Sequence, residues 1–302
     1  MPDTVWKSAL PWVATAISTS PACRPDCWRP SPTIFGEVAM HGQQAHTGTA
    51  EITVTPPPQG VIIPLGGMPV LSTTQDVFAL ELFHALAAGQ RRRVFFANTN
   101  FIVQCQGLRQ RMREPSVRIV NDGIGMDLAA RLIHGRRFAG NLNGTDLIPY
   151  LCREAAQPLK FFLLGGRPGV AQTAAKTLTE TLGQQVVGLC DGYGEFAAAG
   201  EGLSERINQS GADVLLVAFG NPLQERWILD HSQALQVPLV FGVGALLDFL
   251  SGTAQRAPQW VRRLHMEWMY RLLREPRRLF KRYSWDLLVF FRTCLRAGKH
   301  LS

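Results

Sequence analysis

Six short stretches of this chain place Gly, Asn or Asp directly after apolar runs, residue types that hold ligands through amides, carboxylates or bare backbone. They are Asn98-Thr99-Asn100, Asn121-Asp122-Gly123-Ile124-Gly125, Gly165-Gly166-Arg167-Pro168-Gly169, Asp191-Gly192-Tyr193, Gly220-Asn221-Pro222-Leu223-Gln224-Glu225 and Gly242-Val243-Gly244-Ala245. Asp122, a carboxylate at a strand end, is the candidate general base. The alternative is an Asx-turn in which it only accepts the amides of residues 124 and 125. Gly165-Gly166, ahead of a helix near Gly169, lets backbone amides approach an anion such as a diphosphate. A tight strand-to-helix turn would need the same glycines. It is not a G-x-G-x-x-G fingerprint, and no acidic residue stands where a dinucleotide ribose needs one. Gln224-Glu225, after Pro222, either meets a ligand or satisfies first-turn amides. His84, His134, His231 and His265 lack metal-ligand spacing, and no Asp-x-Asp cluster marks a magnesium site.

The elements that must carry these loops follow from the pattern. Short apolar runs predict strands at 94–97, 117–120, 161–164, 185–188, 214–218 and 239–243. Amphipathic stretches predict helices at 74–88, 101–113, 126–134, 146–155, 170–182, 201–210 and 222–231. Continuous apolar strands separated by helices make a parallel sheet covered on both faces, a Rossmann-like, doubly wound α/β fold. Two sheet segments are expected, with halves meeting near 155–160. Ligands in such a fold bind beyond the carboxyl ends of the strands, where all six loops lie.

Composition bounds the rest. The 302 residues are 46% hydrophobic, enough for a sizeable core. Apolar runs such as 214–220 and 239–247 fall well short of the ~20 residues of a spanning helix. Eleven of the 19 prolines precede residue 70, so residues 1–73 read as a largely irregular extension, with strand texture at 51–54 and 61–65. Ser8–Ile17, interrupted by Pro11, makes a weak secretory signal. Cysteines 23, 27, 105, 152, 190 and 294 have neither disulfide-framework nor complete zinc spacing, which suits reduced thiols in a cytosolic protein. Of the net charge of +8, residues 256–302 contribute twelve basic against three acidic side chains, leaving the remainder near −1. That points to an anionic partner met by one terminal segment, not to a nucleic-acid-binding surface. Within 260–283, Trp260, Leu264, Trp268, Leu272, Leu279 and Phe280 recur near helical spacing among arginines, as in a helix lying in a membrane interface and divided at Pro276.

Taken together, "NDGIGMDLAARL", "LNGTDLIPYL", "FLLGGRPGVA", "CDGY", "INQSGADVLLVAFGNPLQERWI", "GVGALLDFLSGTAQRAPQW" and "MEWMYRLLREPRRLFKRY" resemble the WecG/TagA/CpsF family of bacterial glycosyltransferases over residues 74–292. "FANTNFIVQC" is similar to its GumM-like branch. The resemblance implies inverting, metal-independent and cofactor-free transfer of a sugar from a UDP-sugar to a polyprenyl-diphosphate-linked sugar, at the inner face of the bacterial cell membrane. The product would be an exopolysaccharide or other surface polysaccharide. It puts the base on Asp122 and Asn100 near the reacting sugars. Tyr193, Gln224 and Asp248 would surround the nucleotide beside Gly165 and Gly166, Tyr193 against the uracil unless it is a core aromatic. Thr145, Arg256, Arg271 and Arg274 would serve the diphosphate and acceptor. Two departures, Asn98 where the family often has Thr and Asn141-Leu142-Asn143 where it often has Arg before V-T-G, bear on the donor-sugar contacts. The competing classes are a nucleotide-dependent oxidoreductase, which NAD binding would reveal, and a non-catalytic membrane-surface scaffold, which would show no transfer. A homo-oligomer is compatible with either.

Overall fold

The computed structural model describes residues 60–255, 257, 258, 261, 269, 270, 272 and 285–298. The expected extension up to residue 59, Arg256, Arg271, Arg274 and most of the 260–283 stretch lie outside the described residues. The chain opens with β1 (Val61–Leu65) and β2 (Met68–Ser72), then α1 (Gln75–Ala87), β3 (Arg92–Ala97), α2 (Thr99–Gln104), β4 (Val117–Asn121), α3 (Ile124–His134) and α4 (Gly144–Glu154). The second half runs β5 (Lys160–Gly165), α5 (Val170–Lys176), β6 (Gln185–Cys190), α6 (Gly194–Ala199), α7 (Leu203–Gln209), β7 (Val214–Ala218), α8 (Leu223–Asp230), β8 (Leu239–Gly242) and α9 (Leu246–Leu250). After the interrupted stretch comes α10 (Trp285–Gly298).

The two halves share one sheet, not two segments. Its order is β1-β2-β4-β3-β8-β7-β5-β6, parallel apart from the β1–β2 hairpin. The join is β8, last in the chain, which pairs with β3 through Arg92↔Leu239 to Phe95↔Gly242 and with β7 through Val214↔Leu239 to Val217↔Gly242. Buried clusters cover both faces. One joins Phe95, Phe101, Met126, Ile228 and Phe290; the other joins Phe78, Phe96, Leu147, Phe161 and Phe241.

The irregular reading of residues 66–73 does not hold. Gly66 and Gly67 both have positive φ, 58° and 79°, the pair a tight right-twisting hairpin needs. Pro64 and Pro69 face each other in the register, tolerated because β1 is the sheet edge and β2 pairs with β4 only at Val70 and Leu71. The helix expected over 101–113 stops at Gln104 and gives way to 3₁₀ turns at Gln106–Leu108 and Arg111–Arg113. There the Gln106 side chain donates to the Ile102 and Gly66 carbonyls, capturing a helical acceptor from the side. The helix expected over 170–182 is α-helical to Lys176 and continues as a π turn, Thr177–Thr181.

Candidate active site

Side chains from the carboxyl ends of β3 through β8 enclose a cleft of about 2090 Å³. On the β3–β4 side, Asn98 N-caps α2: its Oδ1 accepts the Phe101 amide at 3.1 Å, and its Nδ2 donates to Asp122 Oδ2 at 3.3 Å. Asp122 is held to the neighbouring strand end by its own amide, which donates to Ala97 O at 2.8 Å. Gly123 follows with φ 111° and ψ 157°, a conformation essentially confined to glycine, and its amide donates to Asn141 Oδ1 at 2.7 Å. A Cβ on Gly125 would stand 2.5 Å from Thr99 Cγ2, so the first turns of α2 and α3 meet at near contact. That approach sets Asn100 and Asp122 on one wall.

The Asn141-Leu142-Asn143 departure is structural at all three positions. Asn141 holds the Gly123 amide, Leu142 is buried, and Asn143 N-caps α4, accepting from the Asp146 amide and donating to its carboxylate. Thr145, in the first turn of α4, lines the cleft beside Asp146.

On the opposite wall, Asp191 Oδ1 accepts the amides of Tyr193 (2.8 Å) and Glu195 (3.2 Å), while Glu195 Oε2 accepts the Asp191 amide at 2.8 Å. This reciprocal cap fixes the turn and leaves the Tyr193 side chain 60% exposed over the cleft, which excludes a core aromatic. Gly166 and Asp248 line the same wall. Gly165 is buried below it: at φ 117° its Cβ position lies 2.7 Å from Ala218 O, so its hydrogen lets β5 approach β7.

Gln224 lines the floor at 3% exposure, with its amide engaged by protein groups. Its Oε1 accepts the Gly220 amide at 3.1 Å and the Gly244 amide at 2.9 Å, tying the loops after β7 and β8 together. Its Nε2 donates to Glu225 Oε1 at 2.8 Å. Glu225 is 1% exposed and within hydrogen-bond reach of the buried Cys105 thiol. Burial outweighs the opposing hydrogen bonds from Gln224, the Glu225 backbone amide and Cys105, and pushes the carboxyl from 4.5 up to about 7. Of the first-turn amides, Glu225 meets its own, whereas the Gln224 acceptor serves the loop amides of Gly220 and Gly244, which lie outside the first turn of α8.

The sequence reading placed the cleft's cations in the terminal segment, yet Arg167 and Arg226, both exposed, line the cleft from the loop after β5 and from α8. Arg167 stood in the quoted glycine turn; Arg226 follows the G-N-P-L-Q-E run and carried no separate signal. The four described cysteines are free and buried, and burial raises each thiol, Cys152 and Cys294 to about 12, so none is poised as a nucleophile. Among the described residues no group of three or more His, Cys, Asp or Glu converges as metal ligands, and no helix is long and apolar enough to cross a membrane.

The eight-stranded, mostly parallel sheet, covered by helices on both faces, thus carries at its carboxyl edge a cleft with Asp122 on one wall and Tyr193 on the other, the place where open α/β sheets bind ligands. Residues 63–302 match the Glycosyl transferase WecG/TagA/CpsF family, and the chain belongs to it. Among curated relatives it is 33% identical over 162 residues to an N-acetylglucosaminyldiphosphoundecaprenol N-acetyl-beta-D-mannosaminyltransferase of Bacillus spizizenii. That alignment spans 53% of this chain and 62% of the relative, less than two thirds of the relative's length.

Proposed function

We propose that the protein is an inverting glycosyltransferase that moves a hexose or N-acetylhexosamine from a UDP-sugar to a polyprenyl-diphosphate-linked sugar, in the assembly of a bacterial surface polysaccharide or exopolysaccharide. The observation that carries this reading is the cleft itself. It faces Asp122, oriented by Asn98 and flanked by Asn100, with Tyr193, Gly166 and Asp248 from the other half of the sheet. The family supports sugar transfer, and the relative's name specifies an N-acetylmannosaminyl donor group and a diphosphoundecaprenol-linked acceptor.

In this reading Asp122 takes the proton of the acceptor hydroxyl as its oxygen bonds to the anomeric carbon. The bond from that carbon to the UDP β-phosphate oxygen breaks, and UDP leaves with the electron pair from the opposite face, inverting the centre. Negative charge then develops on the diphosphate, where the exposed guanidiniums of Arg167 and Arg226 and the backbone of the Gly166 turn stabilise it. Tyr193 packs on the uracil and Asp248 meets the ribose or base. Gln224 acts beneath them by holding the Gly220 and Gly244 loops in place. Thr145 belongs to the acceptor side. Arg256, Arg271 and Arg274 add cations to the diphosphate, and the basic terminal segment attaches the enzyme to the anionic inner face of the membrane.

The test is a panel of UDP-sugars offered with polyprenyl-diphosphate-glucose and polyprenyl-diphosphate-N-acetylglucosamine, using wild type and Asp122→Asn. One donor–acceptor pair should turn over with inversion, and Asp122→Asn should lose about 10²–10⁴-fold in kcat with UDP affinity retained. Near wild-type turnover by that variant would remove Asp122 from the role of base. Binding of NAD with no transfer from any donor would favour an oxidoreductase instead.

A further inference from the structure

Helix α3 presents an apolar face to solvent. Ile124, Leu128 and Leu132 are 51%, 57% and 64% exposed, and four-residue spacing stacks them on successive turns opposite the buried Met126, Ala129 and Ala130. At ~1.5 Å rise per residue the stripe runs about 12 Å. Isolated exposed leucines are ordinary; a three-turn stripe at the centre of a helix's outward face marks an interaction surface.

Three observations say what it meets. The stripe is continuous with the cleft, because Ile124 and Leu128 line the mouth just beyond Asp122 while Leu132 lies outside it. Its far end is basic: Arg131 shares the outward face, and Arg136 and Arg137 follow the α3 C-cap at Gly135, all three exposed. The helix packed against α3, α10, carries Trp285, Leu288 and Leu295 exposed, with Arg292 and Arg296 also exposed. Apolar side chains flanked by arginines fit the interface of an anionic bilayer, with hydrocarbon below and phosphate at its rim.

We infer that the α3 face formed by Ile124, Leu128 and Leu132, with the arginines at its C-terminal end, seats on an anionic lipid surface and directs the cleft mouth toward it. The inference rests on the glycosyltransferase reading only for its purpose. An acceptor with its sugar hydroxyl at Asp122 and its polyprenyl chain in the bilayer would leave the cleft past Ile124 and Leu128. The face belongs to α3, an element of the sheet domain.

The experiment uses the full chain, Leu132→Glu, and Arg136→Ala/Arg137→Ala, at positions that neither line the cleft nor are buried. Co-sedimentation is measured with phosphatidylglycerol-containing and pure phosphatidylcholine vesicles, and turnover with long-chain acceptor in vesicles and with a water-soluble short-chain acceptor. Leu132→Glu should bind anionic vesicles at least about ten-fold more weakly. The double arginine variant should lose on the order of five-fold per cation on anionic vesicles and little on neutral ones. Both should keep short-chain turnover and lose long-chain turnover. Unchanged vesicle binding by both variants overturns the inference. So does sedimentation velocity showing a wild-type dimer that Leu132→Glu converts to monomer with vesicle binding intact, which would make the face a contact between copies. If wild type transfers sugar to neither acceptor, the glycosyltransferase reading has failed, and the vesicle measurements still decide the lipid surface.

Discussion

Asn98 Nδ2 donates to Asp122 Oδ2 at 3.3 Å while Asn98 Oδ1 is occupied by the Phe101 amide, so one side chain both starts a helix and orients the carboxylate on the adjacent strand end. Asn98→Ala removes both bonds. The lost cap should cost about 1 kcal/mol of stability. If Asp122 is the base, kcat should fall by about ten-fold or more with UDP affinity unchanged. Asn98→Asp, which keeps the cap acceptor and places a second carboxylate beside the first, should restore stability without restoring kcat. Steady-state kinetics alongside thermal melts separate the two effects.

Gly123 sits at φ 111° with open space around its Cβ position, so the cost of a methyl there is backbone strain alone. Gly123→Ala should destabilise by about 1–3 kcal/mol and, by moving the residue after Asp122, reduce turnover. Gly194→Ala, with equal space and no positive φ, is the control and should leave both within error.

Tyr193 stands 60% exposed at the cleft and contributes little to the core. Tyr193→Ala should leave the melting temperature near wild type and weaken UDP binding by roughly 1–3 kcal/mol, about five- to a hundred-fold in Kd. Calorimetry with UDP checks this; unchanged affinity would take the uracil away from Tyr193.

Glu225 supplies a pH dependence. Its carboxyl is raised from 4.5 to about 7, chiefly by burial, so the folded state holds a proton that the unfolded chain has released over that interval. Its contribution is therefore complete below about 4.5 and is lost as pH rises through about 7. At ~1.4 kcal/mol per pH unit, up to roughly 3 kcal/mol is at stake. Glu225→Gln, neutral at every pH and of the same shape, should flatten the decline in stability between pH 4.5 and 7 relative to wild type. Parallel slopes for the two proteins in denaturant melts would show that Glu225 does not titrate there.

Arg93 is fully buried near the amino end of β3, away from the cleft at the carboxyl ends of the strands, donating to Val237 O and Leu235 O, each at 3.0 Å, and burial lowers its pKa to about 10. Arg93→Met should cost about 2–4 kcal/mol, because Val237 O loses its donor and Leu235 O is left with the longer bond from Arg91 Nη1. Chemical denaturation measures the loss, and kcat of the folded fraction should hold.

The sequence by itself determined the layered α/β class and the positions of β3, β4, β5 and β7, because continuous runs such as Val-Phe-Phe-Ala and Phe-Phe-Leu-Leu have no stable home except a strand covered on both faces. It also determined the chemistry-bearing loops, since Gly, Asn and Asp after a strand are legible one by one. Only the tertiary structure decided what those loops do to one another. The Asn98–Asp122 bond spans 24 residues of chain, and the Gln224–Gly244 bond spans 20. Both depend on strand neighbours, and β8 pairing between β3 and β7 is set by packing that no local pattern encodes. Strand texture at 61–65 was legible, but the prolines hid β2 and the hairpin as a whole, and the edge position shows why those prolines are tolerated. In sequence Gln224 is open between a ligand contact and first-turn amides; the fold adds a clamp on the Gly220 and Gly244 loops, because burial, a property of the whole assembly, decides which partners a polar side chain can reach.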